Sequence, residues 1–242
     1  MARGIAPQQL VKESGRDAAQ RLNVRLLAHT HALRIDAARQ RLRTTRGNLA
    51  YRHLVLAHGA QTGLPSPLSA ANCWRINHLS DYLKLRTALQ AGPQRIAIVG
   101  AGLIGSELAN DLALGGHQVT LLDSQPEPLA RWQDQGAGAQ LLQAWQALPI
   151  RFIGGIELTA VQRIDGGDQP RYRLSSACGQ QFEADQVIAA PGLQTPSRLA
   201  RSAAPDWDCG IAVDPATMGS SQPGIYALGD CASVAGTVSR FI

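Results

Sequence analysis

The sequence predicts an α/β fold: two three-layer units in tandem, each carrying an antiparallel β-meander, with the second unit inserted into an incomplete first. Three observations predict it. One segment reads strand, glycine-rich turn, helix, strand, acid; a longer tail pattern occurs twice; and two short strand patterns late in the chain belong with the first copy of that tail.

The glycine-rich segment runs from Arg95 to Asp123. Ile96 to Val99 is an apolar, β-branched strand that enters a turn with Gly100, Gly102 and Gly105, and a helix and a second apolar strand follow. Each part meets a requirement of a bound dinucleotide, which makes the unit Rossmann-like. Gly100 allows the tight turn, Gly102 lets the backbone approach a pyrophosphate, and Gly105 lets the helix pack close to the strand. The pyrophosphate sits on the free N–H groups at the positive end of the helix, where Leu103 and Ile104 lie. Asp123 is placed to accept hydrogen bonds from a ribose hydroxyl. Ala109 and Gly116 supply the small residues needed where helix and sheet touch.

The repeated tail begins at Leu22–Leu27 in one copy and at Leu148–Ile153 in the other. An alternating, turn-rich passage follows each and predicts a meander, over residues 32–51 and 158–182. Each copy closes on an apolar strand that runs into a glycine, His53–Gly59 and Gln186–Gly192. The glycine-rich unit and a helix over 134–147 precede the second tail. Before the first there is room for one helix, near Lys12–Arg21, but not for the thirty or so residues of a βαβ unit. The sequence therefore reads as a fragment lacking the front of its first unit, and Arg240–Ile242 reads as an element cut short.

The remaining segments follow in order. Leu79–Ala91 has helical spacing and stops at Gly92-Pro93. Residues 196–205 read as an exit linker, and Gly210–Asp214 and Pro223–Asp230 as short strands of the first unit. The expected domains are residues 1–77, 78–196 and 197–242, the outer two forming one discontinuous unit.

Composition narrows the function. The average apolar content fits a folded globular chain, and no basic start leads into an apolar run, so a cytoplasmic protein with no membrane segment is expected. Cys73, Cys178, Cys209 and Cys231 lack CxxC or CxxxxC spacing, which predicts no metal site and no local redox disulfide. The net charge of +5 comes almost wholly from arginine, with Lys12 and Lys84 the only lysines. Arg21, Arg25, Arg34, Arg39, Arg41, Arg43, Arg46 and Arg52 precede the glycine-rich unit. Only Tyr51 lies near enough to stack a base, so an acidic protein partner is expected and nucleic acid is not.

The run Gly224–Ala232, the strand Leu54–Ala60 and the central GxGxxGxE with its acidic strand end together resemble the flavoprotein pyridine-nucleotide reductases. Among these the chain looks most like the rubredoxin–NAD reductases, flavorubredoxin reductases included. The resemblance implies FAD and NAD as cofactors. It carries an FAD ribityl contact onto Asp230, with Gly229 giving close backbone approach; an N-cap aspartate is the plainer alternative. The family's Ala-Thr-Gly strand end falls on Ala57, His58 and Gly59, with histidine in place of threonine. Its NADH site falls on Gly100, Gly102, Leu103, Ile104 and Gly105, with Glu107 near the nicotinamide end or else serving only the helix dipole. Gly192 and Pro196 match its closing strand and loop. Asp123 favours NADH over NADPH, because a carboxylate repels a 2′-phosphate and neither His117 nor Gln118 offers an arginine for one.

No residue of the protein is then expected to be a nucleophile, since the cofactors carry the chemistry. Electrons would leave for rubredoxin or another small acidic electron-transfer protein. Two alternatives stay open: another NADH-flavin reductase or oxidase, and a truncated NADH-binding module without catalysis.

Overall fold

The computed structural model describes residues 7–131, 136–164 and 171–238. The chain separates into two compact units, Val11–Gln61 with Leu193–Ile242, and Met1–Leu10 with Thr62–Gly192. The divisions fall at 61/62 and 192/193, where the sequence places them at 77/78 and 196/197. Residues 62–77 join the inserted unit through buried Leu68 and Cys73 and through the Trp74–Ile188 bridge.

The first unit begins with α1 (Gly15–Arg21), whose N-cap Ser14 accepts from the Asp17 N–H. Strands β1 (Ala32–Asp36), β2 (Arg41–Thr44) and β3 (Gly47–Ala50) form the expected antiparallel meander in the order β1-β2-β3. Ile35 and Thr44 turn inward and are buried, while Arg34, Arg41 and Arg43 stand on the other face. The closing strand β4 (Leu54–Leu56) follows, and β5 (Gln61–Thr62) ends the segment.

The inserted unit opens with α2 (Leu79–Ala88), extended by one 3-10 turn to Ala91. Strands β6 (Arg95–Val99), β7 (Gln118–Leu122), β8 (Ile150–Ile153) and β12 (Gln186–Ala189) make a wholly parallel sheet ordered β12-β6-β7-β8. Helix α3 (Leu103–Leu114) covers it with a face of small and apolar residues, Gly105, Ser106, Ala109, Leu112 and Ala113. Helix α4 (Ala137–Ala144) ends in a 3-10 turn that buries Trp145; Asp134, expected in this helix, lies outside the described residues. The second meander is β9 (Leu158–Ile164), β10 (Arg171–Ser176) and β11 (Gln181–Ala184). Arg95 clasps Asp185 with a backbone and two side-chain hydrogen bonds, tying the start of β6 to the segment before β12.

The chain returns to its first unit through β13 (Leu193–Gln194), α5 (Arg198–Arg201), β14 (Ile211–Val213), β15 (Ile225–Ala227) and β16 (Ala232–Val234). Strand β15 pairs in parallel with β4, and β14 with β16. One expectation needs correction. Residues 196–205 are more than a linker, because α5 packs against β1 with Ala200 buried, and Ala203 just beyond the helix joins the same core. Leu22–Leu27 forms no strand, although its counterpart gives β8. Strand β8 is held by the neighbouring β7, whereas Leu22, Val24 and Leu26 have no such neighbour among the described residues and stay more than half exposed. Arg240–Ile242 lies outside the described residues.

Candidate functional site

The C-terminal ends of β6, β7 and β12 meet at one edge of the parallel sheet, the edge where open α/β sheets place ligands. Gly100 leaves β6 with φ +109°, and a Cβ on it would sit 2.2 Å from the carbonyl oxygen of Ala190, just past β12. A Cβ on Gly105 would stand 1.8 Å from the Gly100 carbonyl oxygen. At both positions the neighbouring backbone leaves no room for a side chain, so the turn between strand and helix closes this tightly only with glycine. Around Gly102, by contrast, a Cβ would meet nothing within 4 Å. Gly102 is the N-cap of α3, and no side chain caps that helix end. The turn is thus closed on its protein side and bare on its outer side, as an anion approaching backbone N–H groups requires.

Leu103 and Ile104 begin the helix, Leu103 on its exposed side. Glu107 is exposed one turn further on. Asp123 follows β7, and its carboxylate accepts from the Ala101 N–H and, at 2.8 Å, from the Gln125 N–H. Leu129 donates to the Ala101 carbonyl at 2.8 Å, so Ala101 is held at both ends of its residue. A carboxylate has room for about four hydrogen bonds, which leaves Asp123 able to accept from a ribose diol as well. Gly192 follows β12, and its carbonyl accepts from the Gly63 N–H at 3.3 Å. His117 is buried, and its Nδ1 accepts from the Gln94 N–H; burial holds its pKa below the ordinary value.

In the other unit the paired strands β4 and β15 bring the second group of residues together. Ala57 and Gly59 follow β4, and Gly229 and Asp230 follow β15 in a short 3-10 turn. The Leu228 N–H donates to the Leu56 carbonyl at 3.0 Å, and buried Cys231 donates its thiol to the same carbonyl at 3.2 Å. Thr195 Oγ1 donates to the Asp230 carbonyl at 3.0 Å. The Asp230 side chain is half-buried. Burial lowers the His58 pKa against the opposing effect of its backbone hydrogen bonds.

Sequence reasoning missed the bracing of Ala101, the Cys231 clasp and the Ala190 carbonyl beneath Gly100. Each joins residues distant in the chain, and only Gly100 carries a local signal of such crowding. Among the described residues, no group of three or more His, Cys, Asp or Glu could hold a metal, and no helix is long and apolar enough to cross a membrane.

A turn crowded so closely that only glycine fits, an uncapped helix start and an acid at the next strand end define a dinucleotide-binding α/β protein. A family model described as pyridine nucleotide-disulphide oxidoreductase matches residues 2–240, and the chain belongs to that family. It is 35% identical over 242 residues to the nitric oxide reductase FlRd-NAD(+) reductase of Aeromonas hydrophila subsp. hydrophila, covering 100% of this chain and 61% of that protein. It is also 35% identical over 244 residues to the rubredoxin-NAD(+) reductase of Alcanivorax borkumensis, covering 100% of this chain and 62% of that one. The crystal structure of a covalent putidaredoxin reductase–putidaredoxin complex matches with a TM-score of 0.85 at 27% identity, over 96% of this chain and 56% of that chain. The chain thus spans about three fifths of the length of the curated relatives it matches.

Proposed function

We propose that the chain belongs to an FAD-dependent NADH oxidoreductase that passes electrons to rubredoxin, flavorubredoxin or a similar small acidic carrier, acting in the cytoplasm. The relatives' names support this reading, and the observation that carries it is the bare helix start at Gly102 framed by Asp123. Residues 78–196 would hold NADH. Gly100, Gly102, Leu103, Ile104 and Gly105 receive its pyrophosphate, Asp123 accepts from its ribose, and Glu107 and Gly192 flank the bound cofactor. When bound, the two cofactors would supply the redox chemistry, hydride transfer between nicotinamide and flavin and one-electron release from the flavin. The protein's part is to hold the dinucleotide in one register and to keep the loop from moving, which Asp123 and Leu129 do through Ala101.

For FAD the fit is partial. Residues 1–77 and 197–242 would form its domain, with Asp230 and Gly229 on the ribityl side and Ala57 and Gly59 beside them. No strand, glycine turn and helix N-terminus is present among the described residues of that unit to seat a second pyrophosphate. This favours a second reading of the 242 residues by themselves, as a module that binds NADH without turning it over.

Calorimetric titration tests the first reading. NADH is expected to bind at least about tenfold tighter than NADPH, a difference of about 1.4 kcal/mol, and equal affinities or no binding by either would remove the assignment to residues 78–196. The visible spectrum of the purified chain tests the second: near-stoichiometric flavin absorbance would overturn it.

A further inference from the structure

We propose that Gly138 and Gly154 are positioning residues for the adenosine half of the dinucleotide, acting through the strap of residues 124–131; this rests on the reading above. In that reading Asp123 receives the ribose nearest the adenine, so the residues that follow it border the adenosine half. Neither glycine belongs to the turn between β6 and α3. Gly138 lies in the first turn of α4, and Gly154 lies just past β8.

The strap is tied at both ends. At its start it prolongs the pairing of β7 with β8: the Asp123 N–H donates to the Ile153 carbonyl at 3.1 Å, the Gly155 N–H to the Gln125 carbonyl at 3.0 Å, and the Ile156 N–H to the Asp123 carbonyl at 2.9 Å. At its far end the Leu129 N–H donates to the Ala101 carbonyl in the glycine turn. Leu129 makes this bond at φ +60°, a left-handed conformation that leucine rarely adopts and that its surroundings must impose. Between the two ends, Pro126 and Pro128 fix φ at their own residues. A push on their carbonyls therefore passes along the strap instead of being absorbed where it falls.

Those carbonyls are what the two glycines face. A Cβ on Gly154 would stand 2.4 Å from the Pro126 carbonyl oxygen and 2.7 Å from that of Gln125, and a Cβ on Gly138 would stand 2.5 Å from the Pro128 carbonyl oxygen. Neither glycine lies in the left-handed region, so each supplies room and not an unusual backbone. The neighbouring Gly155 is the opposite case, at φ +66° with nothing within 4 Å of its Cβ position. A backbone carbonyl cannot swing aside as a side chain does, so one added methyl group must displace the strap or the element facing it. Either movement reaches the dinucleotide seat, through the Gln125 N–H on the Asp123 carboxylate and through the Leu129 N–H on Ala101.

The test titrates the full chain calorimetrically with NADH and with ADP-ribose, well below the melting temperature of each variant. Gly138→Ala and Gly154→Ala are each expected to weaken both ligands about tenfold and by the same factor, because the strap borders the half they share. Gly210→Ala is the control: its Cβ would stand 3.0 Å from the Cys231 carbonyl oxygen in the other unit. It should lower the melting temperature and leave NADH affinity within about twofold. Leu129→Asn, which tolerates the left-handed region, should keep NADH affinity within about threefold, and Leu129→Val, which does not, should lose about tenfold. If the two strap-facing glycine variants do not fold, the Leu129 pair decides alone. Unchanged affinity in the folded glycine variants, an equal loss in Gly210→Ala, or a loss for NADH without one for ADP-ribose overturns the role of the strap and leaves the NADH assignment intact. Equal losses in Leu129→Asn and Leu129→Val place the effect in the leucine side chain and overturn it too. Absence of NADH binding in the wild type overturns the coenzyme reading itself, and this role with it.

Discussion

Strands β12 and β4 close the two copies of one repeated pattern, and they differ in burial. All four residues of β12 are buried, with β6 on one side and the Trp74 bridge on the other. Strand β4 pairs with β15, and its central residue Val55 is half exposed. β12 is Gln-Val-Ile-Ala and β4 is Leu-Val-Leu, so similar short apolar runs give a core strand in one setting and a half-covered strand in the other. Leu148–Ile153 and Leu22–Leu27 repeat the lesson, since only the copy beside an existing strand becomes one. In a parallel sheet the sequence of a strand supplies affinity for a sheet, and the neighbours supply the burial.

The sharpest way to break the comparison is to cut back the matched strands. Ile188→Ala, at a fully buried position, is expected to cost about 2–5 kcal/mol by opening a cavity. Val55→Ala should cost no more than about 1 kcal/mol. Urea unfolding of both variants checks this, and equal losses would mean that β4 is as well covered as β12.

A second test concerns the glycine turn present in the inserted unit. Gly105→Ala forces a Cβ into the Gly100 carbonyl, with an expected stability loss of about 1–3 kcal/mol. Displacing the turn by about 1 Å should weaken NADH binding about a hundredfold. The melting temperature and calorimetry separate the two effects. Retained NADH affinity in a folded variant would move the binding site away from this turn.

The smallest effect is in acid. Burial lowers the pKa of His117 in one unit and of His58 in the other. The buried neutral imidazole of His117 leaves its unit at full stability above the unfolded value of 6.5, and stability is lost as the pH falls below it; His58 is exposed and adds little. Asp185 belongs to the inserted unit alone. Burial raises its pKa, but the Arg95 hydrogen bonds outweigh that and lower it below the unfolded 3.8. Its contribution is present above pH 3.8 and disappears as the pH drops through the folded value. Asp185→Asn should therefore flatten the stability profile below about pH 4, while the loss below about pH 6.5 persists. Denaturant midpoints measured from pH 7 to pH 3 would show it, and an unchanged acid limb would remove Asp185 from the account.

Much of the fold is legible in the sequence because its signals are local. The glycine turn, both meanders, α2 and the strands ending at Leu122 and Ala189 each follow from spacing within a dozen residues. What the sequence hides depends on partners far along the chain. Ala200 reads as linker because β1, which it packs against, lies some 165 residues earlier. Cys231 reads as a bystander because its acceptor, Leu56, is 175 residues away. At the candidate site the residue types are legible, but the bracing is not. The Asp123–Ala101 bond spans 22 residues and uses a backbone N–H, which leaves no mark on the sequence at position 101.

That bond gives Asp123 two duties that cannot be separated by substitution. The carboxylate that would choose between NADH and NADPH also fastens the loop on which the pyrophosphate would rest. Replacing it to admit a 2′-phosphate removes a fastening from the phosphate seat in the same step. On the proposed assignment, coenzyme preference and loop rigidity would be linked through one side chain, and a switch to NADPH would need a second residue to hold Ala101.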